Sequence, residues 1–182
     1  MEKNPALAAA FRRIALGFLI ESIAFYLIFV PVVEAAEPFV LLIGAAMMMS
    51  GFYRAAREVS GFKNPLYLKI IVVALLFARL VMIIIFGDTF GLGLLINAAQ
   101  VLLDLACLHY ICLAVPVLIP ATNRRATDSV RGLATIHAAL HLCVMLPFEG
   151  FLGALLPFAF LIIGLIFRIK YILYLRSARR AV

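Results

Sequence analysis

The chain alternates between long hydrophobic runs and short polar segments. Six runs reach or approach the roughly 18 to 20 apolar residues that a helix needs to cross the hydrocarbon of a bilayer. We therefore predict membrane-spanning helices at about 11–33, 38–56, 66–87, 91–119, 131–148 and 151–173.

The connections between these runs differ in length and charge. The segments 34–37, 88–90 and 149–150 are short enough for tight helical hairpins, whereas 57–65 and 120–130 are longer and basic. The pattern predicts an all-α, polytopic integral membrane protein, a single domain over the whole chain with six transmembrane helices in three antiparallel hairpins.

The composition excludes a domain folded in water. Hydrophobic residues make up 66% of the 182 positions, and too few polar side chains remain to cover such a chain in water. We therefore expect lipid to be the solvent of most of its surface.

The basic residues indicate the orientation. Fifteen of the 16 Lys and Arg residues lie in the terminal segments, in the two basic connections or at the adjoining ends of the runs, and Arg79 lies within a run. Because cytoplasmic segments of membrane proteins are enriched in Lys and Arg, both termini are expected in the cytoplasm. The expected location is the cell membrane, specifically the cytoplasmic membrane of a bacterium. A net charge of +7 then reflects topology and contact with anionic lipid, and no nucleic-acid partner is expected.

Three charged residues fall near the middle of predicted spans, at Glu21, Arg79 and Asp104. A charge at the bilayer centre costs from about 2.5 kcal/mol upward, so such residues normally face the bundle interior and find partners. Counted from Arg12 and Lys69, Glu21 and Arg79 each lie roughly 14 Å from the cytoplasmic edge. Asp104 reaches the midplane from the other side. We therefore predict that Arg79 pairs with Asp104 or with Glu21.

Asp104 belongs to a polar stripe. Asn97, Gln100 and Asp104 occupy positions i, i+3 and i+7, which share one face of a helix. Two interpretations stay open. The stripe either joins helices through buried hydrogen bonds, or lines a polar pocket near the midplane that receives a solute or a proton.

Histidines add a further candidate. His137 and His141 are four residues apart and share a face of the fifth span, and His109 lies within about one helical turn of their depth. The spacing resembles that of a zinc-protease helix, but Ala138 stands where the catalytic glutamate would be. A metal or haem site on these histidines is therefore the less favoured interpretation. We expect no cofactor, and we expect His137 and His141 to belong to the polar cluster.

In size, span number and cytoplasmic termini, the chain resembles the substrate-binding membrane subunits of energy-coupling-factor transporters. Members of that family carry an Ala-x-x-x-Ala helix-docking pattern in their first span. The nearest match here, Ala6 to Ala10, precedes Arg12. Small polytopic bacterial membrane proteins without an assigned activity look similar as well.

These observations favour a non-enzymatic membrane subunit that binds or translocates a small solute, or protons, through a polar midplane cluster. Its partners would be the bilayer, an unidentified solute, and either other membrane subunits or further copies of itself. The cluster is listed in chain order: Glu21, Arg79, Asn97, Gln100, Asp104, His137 and His141. The alternative is an interaction or regulatory subunit of a larger complex, in which the intramembrane charges only fix helix packing.

Overall fold

The computed structural model describes residues 4–27, 36–87, 90–118 and 124–182. Within these ranges the chain forms six α-helices and no strand, which confirms the all-α class. A single 3-10 turn, Ser60–Phe62, separates the second helix from the third. The helices are α1 (Pro5–Leu27), α2 (Glu37–Glu58), α3 (Lys63–Phe86), α4 (Phe90–Leu118), α5 (Arg124–Val144) and α6 (Gly150–Ala181).

Four helices are long and apolar enough to cross a membrane. They are α2, α3 with its preceding turn, α4 from Gly91, and α6. Large apolar side chains such as Ile84, Val117 and Phe151 are exposed on their outer surfaces, as expected of helices that face lipid. The remaining two do not meet this condition over their described lengths, because α1 carries Arg12, Arg13 and Glu21 along its length and α5 begins with a polar segment. Their crossing of the membrane stays a prediction.

Several helices extend beyond the predicted ends of their spans, and the largest extensions are in α5 and α6. Helix α5 begins at Arg124 instead of near 131, and α6 continues to Ala181 instead of ending near 173. Apolar run length measures the part of a helix that lies in lipid, and a helix can continue past that part into the polar region. The two extensions contact each other, because the Thr127 hydroxyl donates a hydrogen bond to the Tyr174 hydroxyl at 3.4 Å.

Glycines allow α1 and α2 to pack with their backbones in contact. A Cβ atom on Gly17 would lie 2.6 Å from the Gly44 carbonyl oxygen, and one on Gly44 would lie 2.8 Å from the Gly17 carbonyl oxygen. Further along, Gly51 lies against Ile14, so the two helices run in opposite directions. Small residues at such crossings are typical of helix association in membranes.

The two described ends of the chain meet at one end of the bundle. The backbone amide of Asn4 donates a hydrogen bond to the carbonyl oxygen of Val182. The main hydrophobic core occupies this same end, where it is built from the first half of α1, the last halves of α2, α4 and α6, and the start of α5. Among its largest fully buried side chains are Phe11, Phe52 and Tyr171.

The other half of the bundle is packed differently. A small apolar cluster of Ala45, Val72 and Leu76 joins α2 and α3, and the space between the helices there is partly open. The fold therefore combines a tightly packed end, at which the chain's basic segments gather, with a polar cavity above it.

Candidate functional site

A cavity of about 640 Å³ lies between the helices, with all six contributing to its wall. Every residue that the sequence suggested for the polar cluster lines it: Glu21, Arg79, Asn97, Gln100, Asp104, His137 and His141. The tertiary structure adds six polar or ionisable side chains that the sequence did not suggest for the cluster, namely Ser22, Glu37, Lys69, Cys107, Arg168 and Tyr171.

The floor of the cavity is formed by an ion triad. The Lys69 ammonium lies 2.6 Å from Glu21 Oε1 and 2.8 Å from Asp104 Oδ1, so α1, α3 and α4 are joined through one cation. Lys69 is only 1% exposed, and a lysine this deeply buried is tolerated because carboxylates compensate its charge. Asp104 is 33% exposed and presents the accessible part of the triad to the cavity.

The placement of Lys69 corrects the sequence interpretation. Lys69 was expected at the cytoplasmic edge, among the residues that set orientation. Helix α3 instead begins at Lys63, which puts Lys69 six residues, or about 9 Å, inside the helix. Lys63 is exposed and takes the boundary position.

Arg79 has a different partner from the one predicted. Its guanidinium lies 3.3 Å from Glu37 Oε2 and donates a hydrogen bond to Glu37 Oε1 at 3.4 Å. The expected pairing with Glu21 or Asp104 is wrong, because those carboxylates hold Lys69, ten residues or about 15 Å earlier along α3. Glu37 had been assigned to an external turn, yet it is the first residue of α2 and is buried.

Arg168 also lies inside the bundle. Its Nη1 atom is 3.2 Å from His137 Nε2, and its guanidinium lies 5.8 Å from the centre of the Tyr26 ring. Since arginine can only donate, His137 Nε2 must be the acceptor, and the imidazole is therefore uncharged. The sequence placed Arg168 at the cytoplasmic end of its span, but α6 continues 13 residues further to Ala181.

Gly164 makes room for this contact. A Cβ atom at position 164 would lie 2.8 Å from Arg168 Nη1 and 2.9 Å from His137 Nε2. A side chain at position 164 would therefore displace the Arg168 guanidinium or the His137 ring from this contact. The His137 ring also stacks on Phe160, with centroids 4.9 Å apart and planes 15° from parallel, so an aromatic surface adjoins the polar one.

The histidines do not form a metal site in the part of the chain that the structure describes. The third candidate, His109, bonds through Nδ1 to the Leu105 carbonyl oxygen at 3.1 Å and is absent from the cavity wall. His137 and His141 lie with ring centroids 6.2 Å apart. No group of three His, Cys, Asp or Glu side chains among the described residues is arranged to hold a metal ion.

Some polar groups of the cavity wall lack a partner among the described residues. The carboxamides of Asn97 and Gln100 make no hydrogen bond to any of these residues. The Tyr171 hydroxyl is buried without a hydrogen-bond partner among them. Buried polar groups are normally bonded to protein or to water, so the two carboxamides are available to a molecule inside the cavity, and the Tyr171 hydroxyl becomes available once the wall shifts to expose it.

The residues that sequence analysis missed had only faint signals. Lys69 and Arg168 each stand at the edge of an apolar run, where a cation is usually explained by topology. Tyr171 resembles an interfacial aromatic residue for the same reason. For Glu37, the signal was Pro38 directly after it, since proline favours the first turn of a helix.

Comparison with known proteins yields no relative. No protein family, curated protein or solved structure matches the chain. The likeness to energy-coupling-factor subunits therefore stays one of overall architecture, and any functional argument depends on the geometry of the cavity.

Proposed function

We propose that this protein is a membrane-embedded subunit that binds a small solute in the cavity between its helices, and either passes it across the membrane or presents it to a partner. In this proposal all six helices cross the bilayer as three hairpins, with both termini in the cytoplasm of a bacterial cell. The meeting of Asn4 and Val182 supports an even number of crossings.

One observation carries the proposal: a cavity of about 640 Å³ at membrane depth has polar groups on its wall that form no hydrogen bond with any described residue. Ligand cavities are typically 300 to about 1,000 Å³ and combine an apolar lining with a few polar groups. Residues that serve only to join helices would be bonded to one another. Asn97, Gln100 and Tyr171 are not.

The shape of the bundle suggests the direction of access. The packed core blocks the end at which the termini meet, whereas the cavity extends towards the Arg79–Glu37 pair in the opposite half. With the termini in the cytoplasm, a solute would reach the cavity from the external side. Release to the cytoplasm would require rearrangement of the core or a partner subunit.

The competing function is a non-catalytic interaction or regulatory subunit, and a specific observation favours it. The charges of Lys69, Glu21 and Asp104 are mutually paired, as are those of Arg79 and Glu37. Buried ion pairs of this kind can specify helix pairing without binding anything. The two functions differ in what they require of the uncharged polar groups Asn97, Gln100 and Tyr171. Solute binding requires these groups, whereas helix pairing does not.

The test uses the double variant Asn97→Leu with Gln100→Leu. These carboxamides support no described contact, so the variant should keep its thermal stability in mild detergent. We expect native mass spectrometry of the wild-type protein to reveal a noncovalently bound small molecule at stoichiometric amounts, and the double variant to lose it.

Asn64→Leu is the matched control, because Asn64 is exposed at the start of α3, and it should retain the molecule. A wild-type protein that carries no small molecule would favour the packing function, as would a double variant that retains the molecule fully.

A further inference from the structure

The ionisable residues of the cavity wall balance in charge. Its described lining contains three carboxylates and three basic side chains: Glu21, Glu37, Asp104, Lys69, Arg79 and Arg168. His137 adds no charge, because its Nε2 accepts a hydrogen bond from Arg168. With His141 also uncharged, the described wall is formally neutral.

The charges are also distributed evenly along the cavity. Lys69 lies between Glu21 and Asp104 at the floor, and Arg79 faces Glu37 about 15 Å further along α3. Arg168 lies in α6, which packs against α1, the helix that carries Glu21. Neither end of the cavity therefore presents a cluster of one sign that would attract a counter-charge.

A charged solute would gain no matching counter-charge in such a site. An ion transferred from water into a low-dielectric interior loses its hydration, and an ion pair repays that loss only where an opposite charge is available. Here Lys69 and Arg79 already have carboxylate partners, and Arg168 offsets the remaining negative charge of the triad in the sum over the described wall. A solute of zero net charge loses much less hydration.

The polar groups of the wall that bond to no described residue indicate which chemical groups such a solute carries. The carboxamides of Asn97 and Gln100 each supply a donor and an acceptor, and the buried Tyr171 hydroxyl supplies another of each. Phe18, Phe167 and the Tyr171 ring provide apolar contact area in the same wall. The site therefore matches a molecule with both apolar surface and neutral hydrogen-bonding groups.

We infer that the cavity selects a solute of zero net charge that both donates and accepts hydrogen bonds, and that it discriminates against anions and cations of the same shape. This inference rests on the proposed function, and it names the class of solute that the site would take.

A probe set of constant shape tests it: benzamide is neutral, benzoate is an anion and benzamidine is a cation. Binding is measured as the ligand-dependent increase in the unfolding temperature in detergent, at about pH 8, where histidine side chains are uncharged. We expect benzamide to stabilise the protein, and each charged analogue to bind roughly tenfold more weakly or less.

Two variants should change the preference in a defined direction. Asp104→Asn keeps the Lys69–Glu21 pair and leaves the wall with one excess positive charge. Glu37→Gln has the same effect on charge at the other end of the cavity. Each should shift the preference from benzamide towards benzoate by roughly tenfold. Using both keeps the test valid if either one folds poorly.

Asp128→Asn is the control, since Asp128 is exposed on α5 and should leave the preference unchanged. The inference is overturned if a charged probe binds the wild-type protein as well as benzamide does, or if no probe binds. It is also overturned if neither Asp104→Asn nor Glu37→Gln shifts the binding preference towards benzoate. A stoichiometric small molecule in wild-type preparations, lost in the Asn97/Gln100 variant, would still uphold the proposed function in each of those cases.

Discussion

Lys69 and Glu21 form a contact of 2.6 Å in the interior of the bundle, although the first stands at the edge of one apolar run and the second in the middle of another. Asp104 completes the triad from α4 at 2.8 Å. One ammonium group therefore joins three helices that adjoin the cavity.

Lys69→Met should strongly destabilise the protein. Removal of the ammonium leaves two carboxylates close together in a low-dielectric site, and breaking a buried ion pair from one side costs about 3 to 5 kcal/mol. Thermal unfolding in detergent measures the loss. Lys63→Met, at an exposed position of the same helix, should change stability little.

The charge-free triple variant, with Glu21→Gln and Asp104→Asn added to Lys69→Met, should recover much of the lost stability. If it also recovers the bound solute, the triad serves packing alone. If the Lys69→Met protein is as stable as the wild type, the Lys69 ammonium is not buried in the way the structure shows.

Arg79 should be energetically coupled to Glu37 and not to Asp104. A double-mutant cycle of Arg79→Gln with Glu37→Gln should give an interaction free energy of about 0.5 to 3 kcal/mol, as for residues in contact. Arg79→Gln with Asp104→Asn should be close to additive. The reverse result would restore the pairing expected from the sequence and reject the pairing with Glu37.

Gly44→Ala should weaken the packing of α1 against α2. The added methyl group would lie 2.7 to 2.8 Å from Glu21 and the Gly17 carbonyl oxygen, and overpacking of this kind costs about 1 to 3 kcal/mol. Gly132→Ala is the matched control, because nothing lies within 4 Å of a Cβ atom there. It should raise stability by up to about 1 kcal/mol through helix propensity. Equal effects at both glycines would show that α1 and α2 do not pack closely at Gly44.

Tyr171→Phe should leave stability unchanged or raise it, since the hydroxyl is buried and has no hydrogen-bond partner among the described residues. Tyr174→Phe, one turn later, removes the acceptor of the Thr127 hydrogen bond and should cost about 0.5 to 1.5 kcal/mol. Retention of the bound solute should show the opposite order. The Tyr171→Phe protein should retain less of the solute than the Tyr174→Phe protein does. A large stability loss in Tyr171→Phe would mean that its hydroxyl is bonded within the protein.

The six-span topology can be tested with reporter fusions. Fusions after Val182 and within 57–65 or 120–130 should report the cytoplasm, and fusions at 34–37, 88–90 and 149–150 should report the external side. The informative sites flank α1 and α5, the two helices whose described lengths do not meet the requirements for crossing a membrane. Two consecutive connections that report the same side would exclude one of these crossings.

The sequence by itself determined the elements and the faces that carry chemistry. Apolar run length predicted six helices because a helix in lipid must satisfy its backbone hydrogen bonds internally, and four of the six meet the requirements for crossing a membrane. The helical period placed Asn97, Gln100 and Asp104 on one face, and they lie together on the cavity wall. The first span's predicted end, near 33, lies outside the described residues.

Only the tertiary structure decided which charged side chains form ion pairs with one another. Arg79 lies at the centre of an apolar run and was therefore predicted to be a buried cation. Lys69 and Arg168 lie at run edges, and their charges were attributed to the orientation of the chain in the membrane. The three proved to share one cavity. The ion-pair partners depend on where each helix begins and how it is rotated. The observed start of α3 at Lys63 differs by three residues, or about 4.5 Å along the helix, from the predicted start near 66. A difference of that size is enough to exchange one ion-pair partner for another, and no property of a single hydrophobic run specifies it.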